Sequence, residues 1–180
     1  MRLIFGPNKV LKQKSEPVSD EEFGDDMVVL SESMLKIMRG FGGVGLAGIQ
    51  LGLPKRILVG EADGKEFVLI NPEIKETSKE EVSFNEGCLS FPMESFKIDR
   101  PSDITVSYQN TDGTRIEEQF SGLASRIIQH EMDHLNGITI LDKVSHLKRS
   151  LYIKKMNKRL KKYNTIVGEY TSLLLITLSW

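Results

Sequence analysis

Residues Gln129-His130-Glu131-Met132-Asp133-His134 carry the pattern His-Glu-x-x-His. A helix advances about 100° per residue, so positions i and i+4 fall within about 40° of one another. His130 and His134 therefore project from one face and can bind one metal ion, while Glu131 beside them can take a proton without ligating. The surrounding stretch is apolar at Leu123, Ala124, Ile127, Ile128 and Leu135. Imidazoles buried there without a ligand would be costly, which favours a metal site over two polar histidines at a helix edge. A catalytic site generally takes three protein ligands and leaves one position for water. The third ligand must come from elsewhere, and the sole cysteine, Cys88 in Glu86-Gly87-Cys88-Leu89-Ser90, is the stronger candidate through its thiolate. Taken alone, a lone cysteine is more often a small buried hydrophobe.

A second pattern, Gly43-Val44-Gly45-Leu46-Ala47-Gly48, satisfies G-x-G-x-x-G with Asp63 about 20 residues on, as a dinucleotide site would require. That fingerprint needs a strand before it and a helix after it. Here a methionine-rich helical pattern precedes it and Pro54 restricts any helix after it, so no dinucleotide is expected.

Periodicity indicates the scaffold that holds these residues. Ser19 and Glu22 form a capping-box pattern, and Phe23, Met27, Leu30, Met34 and Met38 recur at helical spacing, so a first helix is expected over about Asp20–Arg39. Short β-type runs come next at Arg56–Val59, Phe67–Ile70 and Glu81–Phe84, then a hairpin of Asp103–Gln109 with Thr114–Phe120. Ser121 can cap a second helix from about Gly122 to Asn136, with Gly137 at its C-terminal stop. A third helix, about His146–Tyr163, carries Lys148, Arg149, Lys154, Lys155, Lys158, Arg159, Lys161 and Lys162 with no acidic residue. Such a run usually marks a solvated face; the alternative is docking to an RNA-rich surface.

The 180 residues suit one globular domain, and the net charge of −1 argues against a global attraction for nucleic acid. One cysteine excludes an internal disulfide and fits a reducing, cytoplasmic compartment. No export signal is visible at the N-terminus, and the apolar run Leu173–Trp180 is far short of the roughly 20 residues that span a bilayer, so no membrane partner is expected.

Together, Gly43-Val44-Gly45-Leu46-Ala47-Gly48-Ile49-Gln50, Glu86-Gly87-Cys88-Leu89-Ser90 and Gln129–Gly137 resemble, in order and spacing, the three signature motifs of the peptide deformylases. Pro7–Val18 and Asn71-Pro72-Glu73-Ile74 extend the resemblance over about residues 1–145. It implies an α+β single domain over 1–180, with antiparallel β-sheets around a central metal-binding helix, an N-terminal helix and a C-terminal helix, the basic helix and apolar tail occupying about 146–180. It also implies a bacterial hydrolase that removes the formyl group from the initiator methionine of nascent peptides. The ligands would be Cys88, His130 and His134, the general base Glu131, and the oxyanion donors the Gln50 amide and the Leu89 backbone N–H. Val44, Gly45 and Gly87 would meet the substrate backbone, and Glu86 with Arg100 would support the methionine pocket. The implied cofactor is one divalent ion, ferrous iron (Fe2+) natively, with Zn2+, Ni2+ or Co2+ able to occupy the site. In some relatives a C-terminal helix binds the ribosome, which gives the basic helix here a candidate partner. The chain departs from the pattern at Gly48, where alanine is usual, and at Met93-Glu94-Ser95-Phe96, where relatives often carry an arginine. The rival readings are an endopeptidase of the His-Glu-x-x-His type and a metal-binding or ribosome-associated homologue that has lost turnover, both keeping the metal.

Overall fold

The structure, a computed structural model, describes residues 1–159 and divides into two compact units, Met1–Lys143 and Val144–Trp180. In the second unit residues 146–159 are helical. The last turn of the expected helix, through Tyr163, and the run Leu173–Trp180 lie outside the described residues.

In the first unit the Ser19–Glu22 capping box exists, with Glu22 Oε2 accepting from Ser19 N at 3.0 Å, but it closes only a 3-10 turn, Asp20–Glu22. The chain then breaks at Gly24, whose φ of 116° is outside the helical region, and helix α1 runs from Asp25 to Gly40. The expected start at Asp20 is thus five residues early. From Met27 onward the periodicity holds, burying Met27, Met34, Leu35 and Met38 on one face.

An antiparallel sheet comes next, made of β1 (Gly45–Ala47), β2 (Ile57–Ala62), β3 (Lys65–Thr77), β6 (Ile104–Gln109) and β7 (Arg115–Phe120), in the order β1-β2-β3-β6-β7. Strand β2 is buried on both faces, so its sequence Ile57-Leu58-Val59 is continuously apolar rather than alternating. Ile57 and Val59 join α1 residues Met34 and Met38 in one core. Leu58 and Leu69 join Ile128, Met132 and Leu135 of helix α2 (Gly122–Leu135) in the other. The sheet therefore separates the two helices. Asn71 fastens the N-terminal arm to the sheet, its side chain bonding both Val18 N (2.8 Å) and Val18 O (2.9 Å).

Strands β4 (Glu81–Cys88) and β5 (Phe91–Pro101) form a separate two-stranded sheet. Its pairing is regular from Glu81↔Pro101 to Glu86↔Phe96 and then shifts before Cys88↔Phe91. This irregular end carries Gly87 and Cys88 to α2. The sequence patterns indicate β4 but not β5. Its inward positions are Phe96, Ile98 and Arg100, and a buried arginine reads as a solvent residue until its partner is known.

Candidate metal centre

Helix α2 is buried at Ser125–Met132 and again at His134 and Leu135. Ser121 occupies its N-cap position but makes no side-chain capping bond, contrary to expectation. The C-terminal stop is as expected: Gly137 has φ 73°, and a Cβ there would lie 2.5 Å from the Lys12 carbonyl oxygen. The turn is therefore closed to any residue with a side chain.

His130 and His134 project from the same face with ring centroids 5.2 Å apart. The end of β4 brings Cys88 to them, with its Sγ 3.2 Å from His134 Nε2. One donor atom from each of the three lies within 4.8 Å of the other two. A thiolate and two imidazoles on that spacing are a ligand set for one transition-metal ion. Burial holds His134 neutral, its imidazole well below the usual range, as a ligand must be. His130 Nδ1 donates to Glu86 Oε2 at 3.0 Å, which leaves Nε2 as its ligating atom.

Glu86 is the hub of a buried ionic network. Burial pushes its carboxyl up, but hydrogen bonds from His130 and Arg100 outweigh this and hold it at about 2. Arg100 forks onto it through Nε (2.7 Å) and Nη2 (2.9 Å), and Arg126 Nη1 at 3.0 Å joins these and His130 as a fourth donor. Arg100 Nη1 also meets Asp133 at 2.8 Å. Sequence reasoning missed Arg126 and Asp133. Their spacing with His130, at i−4 and i+3 on a buried helix face, was the available signal.

Glu131 lies on the same helix with the opposite environment. It is 4% exposed, its Oε2 has no hydrogen-bond partner, and burial raises its carboxyl to about 7. Gly45 makes the room: a Cβ there would stand 2.5 Å from Glu131 Oε1 and 2.7 Å from Ile127 Cγ2. The missing side chain thus accommodates the protein's own carboxylate. Gln50 is fixed through Oε1, which accepts from Ala47 N at 2.8 Å, and its Nε2 points to Ser90 Oγ (3.2 Å) and Cys88 Sγ (3.8 Å).

Part of this set opens onto a cavity of about 550 Å³, from whose lining Gln50 and His134 are absent. Cys88, His130 and Glu131 line it, as do Val44, Gly45, Glu86, Gly87 and Leu89. Its rim is apolar, with Phe5, Phe41, Val44, Phe84 and Met93 each at least half exposed. Arg100 stands behind Glu86 and does not line it. Among the described residues strand β1 is an edge of the main sheet and pairs with β2 alone, so one side of its backbone is open to another strand.

Comparison with known proteins bears on this geometry. The family model "Polypeptide deformylase" matches residues 1–150. The peptide deformylase of Thermotoga sp. (strain RQ2) is 42% identical over 153 residues, covering 85% of this chain and 92% of its own. That of Erythrobacter litoralis is 38% identical over 180 residues, covering 84% and 93%. Among solved structures, peptide deformylase from Thermotoga maritima superposes with a TM-score of 0.76 at 40% identity, over 80% of this chain and 97% of that one. A peptide deformylase from Legionella pneumophila gives 0.83 at 31% identity, over 91% and 96%.

Proposed function

The chain belongs to the polypeptide deformylase family and removes the N-formyl group from nascent peptides; from that premise we propose which of its residues perform the reaction. The observation that carries the assignment is the Cys88, His130 and His134 donor set lying beside the buried, unpartnered carboxylate of Glu131.

Cys88, His130 and His134 hold one divalent ion, which when bound supplies Lewis-acid activation of water and of the formyl oxygen. Glu131, poised near neutrality, accepts the proton of the attacking water and returns it to the departing methionine amine. Gln50 Nε2, held in place by Ala47, and the Leu89 backbone N–H donate to the oxygen on which charge develops, each such donor being worth roughly 3 kcal/mol of barrier. The substrate backbone pairs with the open edge at Val44 and Gly45 and passes Gly87 on the other side. Glu86 forms part of the wall around the first side chain, and Arg100 acts on that wall through Glu86.

The working ion in this reading is ferrous iron, with zinc, nickel or cobalt able to occupy the same ligands. The enzyme acts in the cytoplasm, where formylated chains emerge. Residues 146–159, with six lysines and arginines and no acid, provide a basic surface for ribosomal RNA.

The test is formate release from formyl-Met peptides by protein loaded with iron or nickel under anaerobic conditions. The iron form should lose activity in air and the nickel form should keep it. An iron-loaded sample indifferent to oxygen would remove iron as the working metal.

A further inference from the structure

The two groups assigned to the developing charge stand on different parts of the fold. Gln50 belongs to the 3-10 turn Gly48–Leu51, which follows β1 of the main sheet. Leu89 and Ser90 are the two-residue turn at the tip of the β4–β5 hairpin, in the separate sheet. A loop tip is ordinarily among the more mobile parts of a chain, whereas oxyanion donors act only when they are held in place beforehand. Something must tie the tip to the turn.

One link is direct, from Gln50 Nε2 to Ser90 Oγ at 3.2 Å. That bond engages the same amide nitrogen that serves the substrate. The N-terminal arm supplies a link that engages no reacting group. Ile4 N donates to the Gln50 carbonyl at 2.8 Å, and Gly6 N donates to the Ser90 carbonyl at 2.7 Å. Two residues of chain span at most about 7 Å, so the arm sets a ceiling on how far the hairpin tip and the 3-10 turn can separate.

The arm is itself anchored at both ends of this stretch. Leu3 is buried in the core with Leu46 and Leu51, the last of these the neighbour of Gln50. Gly6 is buried against Phe91, where a Cβ would stand well inside van der Waals contact of the ring's Cε1 and Cζ. The missing side chain is what lets the arm come this close to the start of β5. Between the two bonds Phe5 points to the rim of the large cavity and is half exposed, so the arm is held here by its backbone.

We infer that residues 3–6 are a strap that positions the oxyanion donors, Ile4 acting through Gln50 and Gly6 through the Leu89–Ser90 turn. Both are positioning residues. The inference rests on the deformylase reading and the donor roles given above. Its test measures kcat, KM and metal content with a formyl-Met peptide. Ile4→Pro removes one N–H, and Gly6→Ala pushes the arm off the hairpin tip with its methyl group. Each should lower kcat about 10²-fold, the cost of a misplacement of about 1 Å. KM should change little and one ion per chain should be kept, because the strap serves an interaction made only in the transition state. Phe91→Leu, which lacks the ring atoms that the new methyl would strike, should restore most of the kcat lost in Gly6→Ala. In a Gln50→Ala background Ile4→Pro should lower kcat by no more than about twofold further, since the group it positions is gone. If wild type releases no formate from formyl-Met peptide, the deformylase reading falls and the strap with it. If Gln50→Ala keeps full kcat, the donor assignment falls in the same way. With both of these intact, full kcat in the two arm variants, an equal loss with and without Gln50, or a loss that follows missing metal overturns the strap alone.

Discussion

Glu86 and Glu131 are both buried carboxyl groups, and their neighbours send them in opposite directions. Two arginines and an imidazole keep Glu86 ionised, whereas Glu131 has an oxygen with no partner and is raised to about 7 by burial. One suits an orienting anion and the other a group that accepts and returns a proton. Glu131→Gln should therefore keep one ion per chain while turnover falls by about 10²–10⁴-fold. Cys88→Ala should lose the ion itself. Metal analysis beside formate release separates the two, and equal metal loss in both variants would show that Glu131 is misassigned. Glu86→Gln weakens the hydrogen bond that fixes His130, so the ion should be held about 10–100-fold less tightly. Competition with a chromogenic chelator measures this, and wild-type affinity would mean that the network orients nothing.

Elements differ in how far the sequence reveals them, and the reason is where each finds its partners. Helix α2, its ligands and its glycine stop were legible because a helical period, a ligand spacing and a left-handed turn are local properties. So was the hairpin of β6 and β7. Strand β5 was not, since Arg100 at an inward position makes sense only with Glu86 and Asp133, which lie in two other elements. The start of α1 was misplaced because a capping box satisfies the same amides on a 3-10 turn as on a helix. Within the site, the ligands could be read from residue type, but Arg126 could not, since its role depends on the carbonyls of Val82 and Ile98. Gly45 is expected from the sequence to meet the substrate backbone, and the structure adds that the Glu131 carboxylate occupies the space a side chain there would fill. Gly45→Ala should displace Glu131 and lower kcat by about 10²-fold, since catalysis is sensitive to shifts of about 1 Å. Overpacking should cost about 1–3 kcal/mol of stability in the same variant. Wild-type kcat in a folded Gly45→Ala protein would mean that the carboxylate has room to spare.

Over the whole chain, charge is nearly balanced at −1, yet residues 146–159 hold six basic side chains and no acidic one. Truncation before His146 should leave hydrolysis of short formyl-Met peptides nearly intact while weakening ribosome co-sedimentation in a salt-dependent way. Equal co-sedimentation of the two forms at low salt would reduce the helix to a solvated face. The ionic network carries a different consequence. Glu86 with Arg126 and His130, and Arg100 with Asp133, hold the β4–β5 hairpin to α2 by bonds that do not pass through the ion. Many small metal domains unfold when stripped, because the ion is what closes them. Here Cys88 should stay opposite its histidines after chelation, so that nickel added without denaturant restores turnover while hydrogen exchange across 81–101 changes little. A centre that has lost its ion is then a replaceable part, serviced by reloading the folded enzyme instead of by synthesis of a new chain.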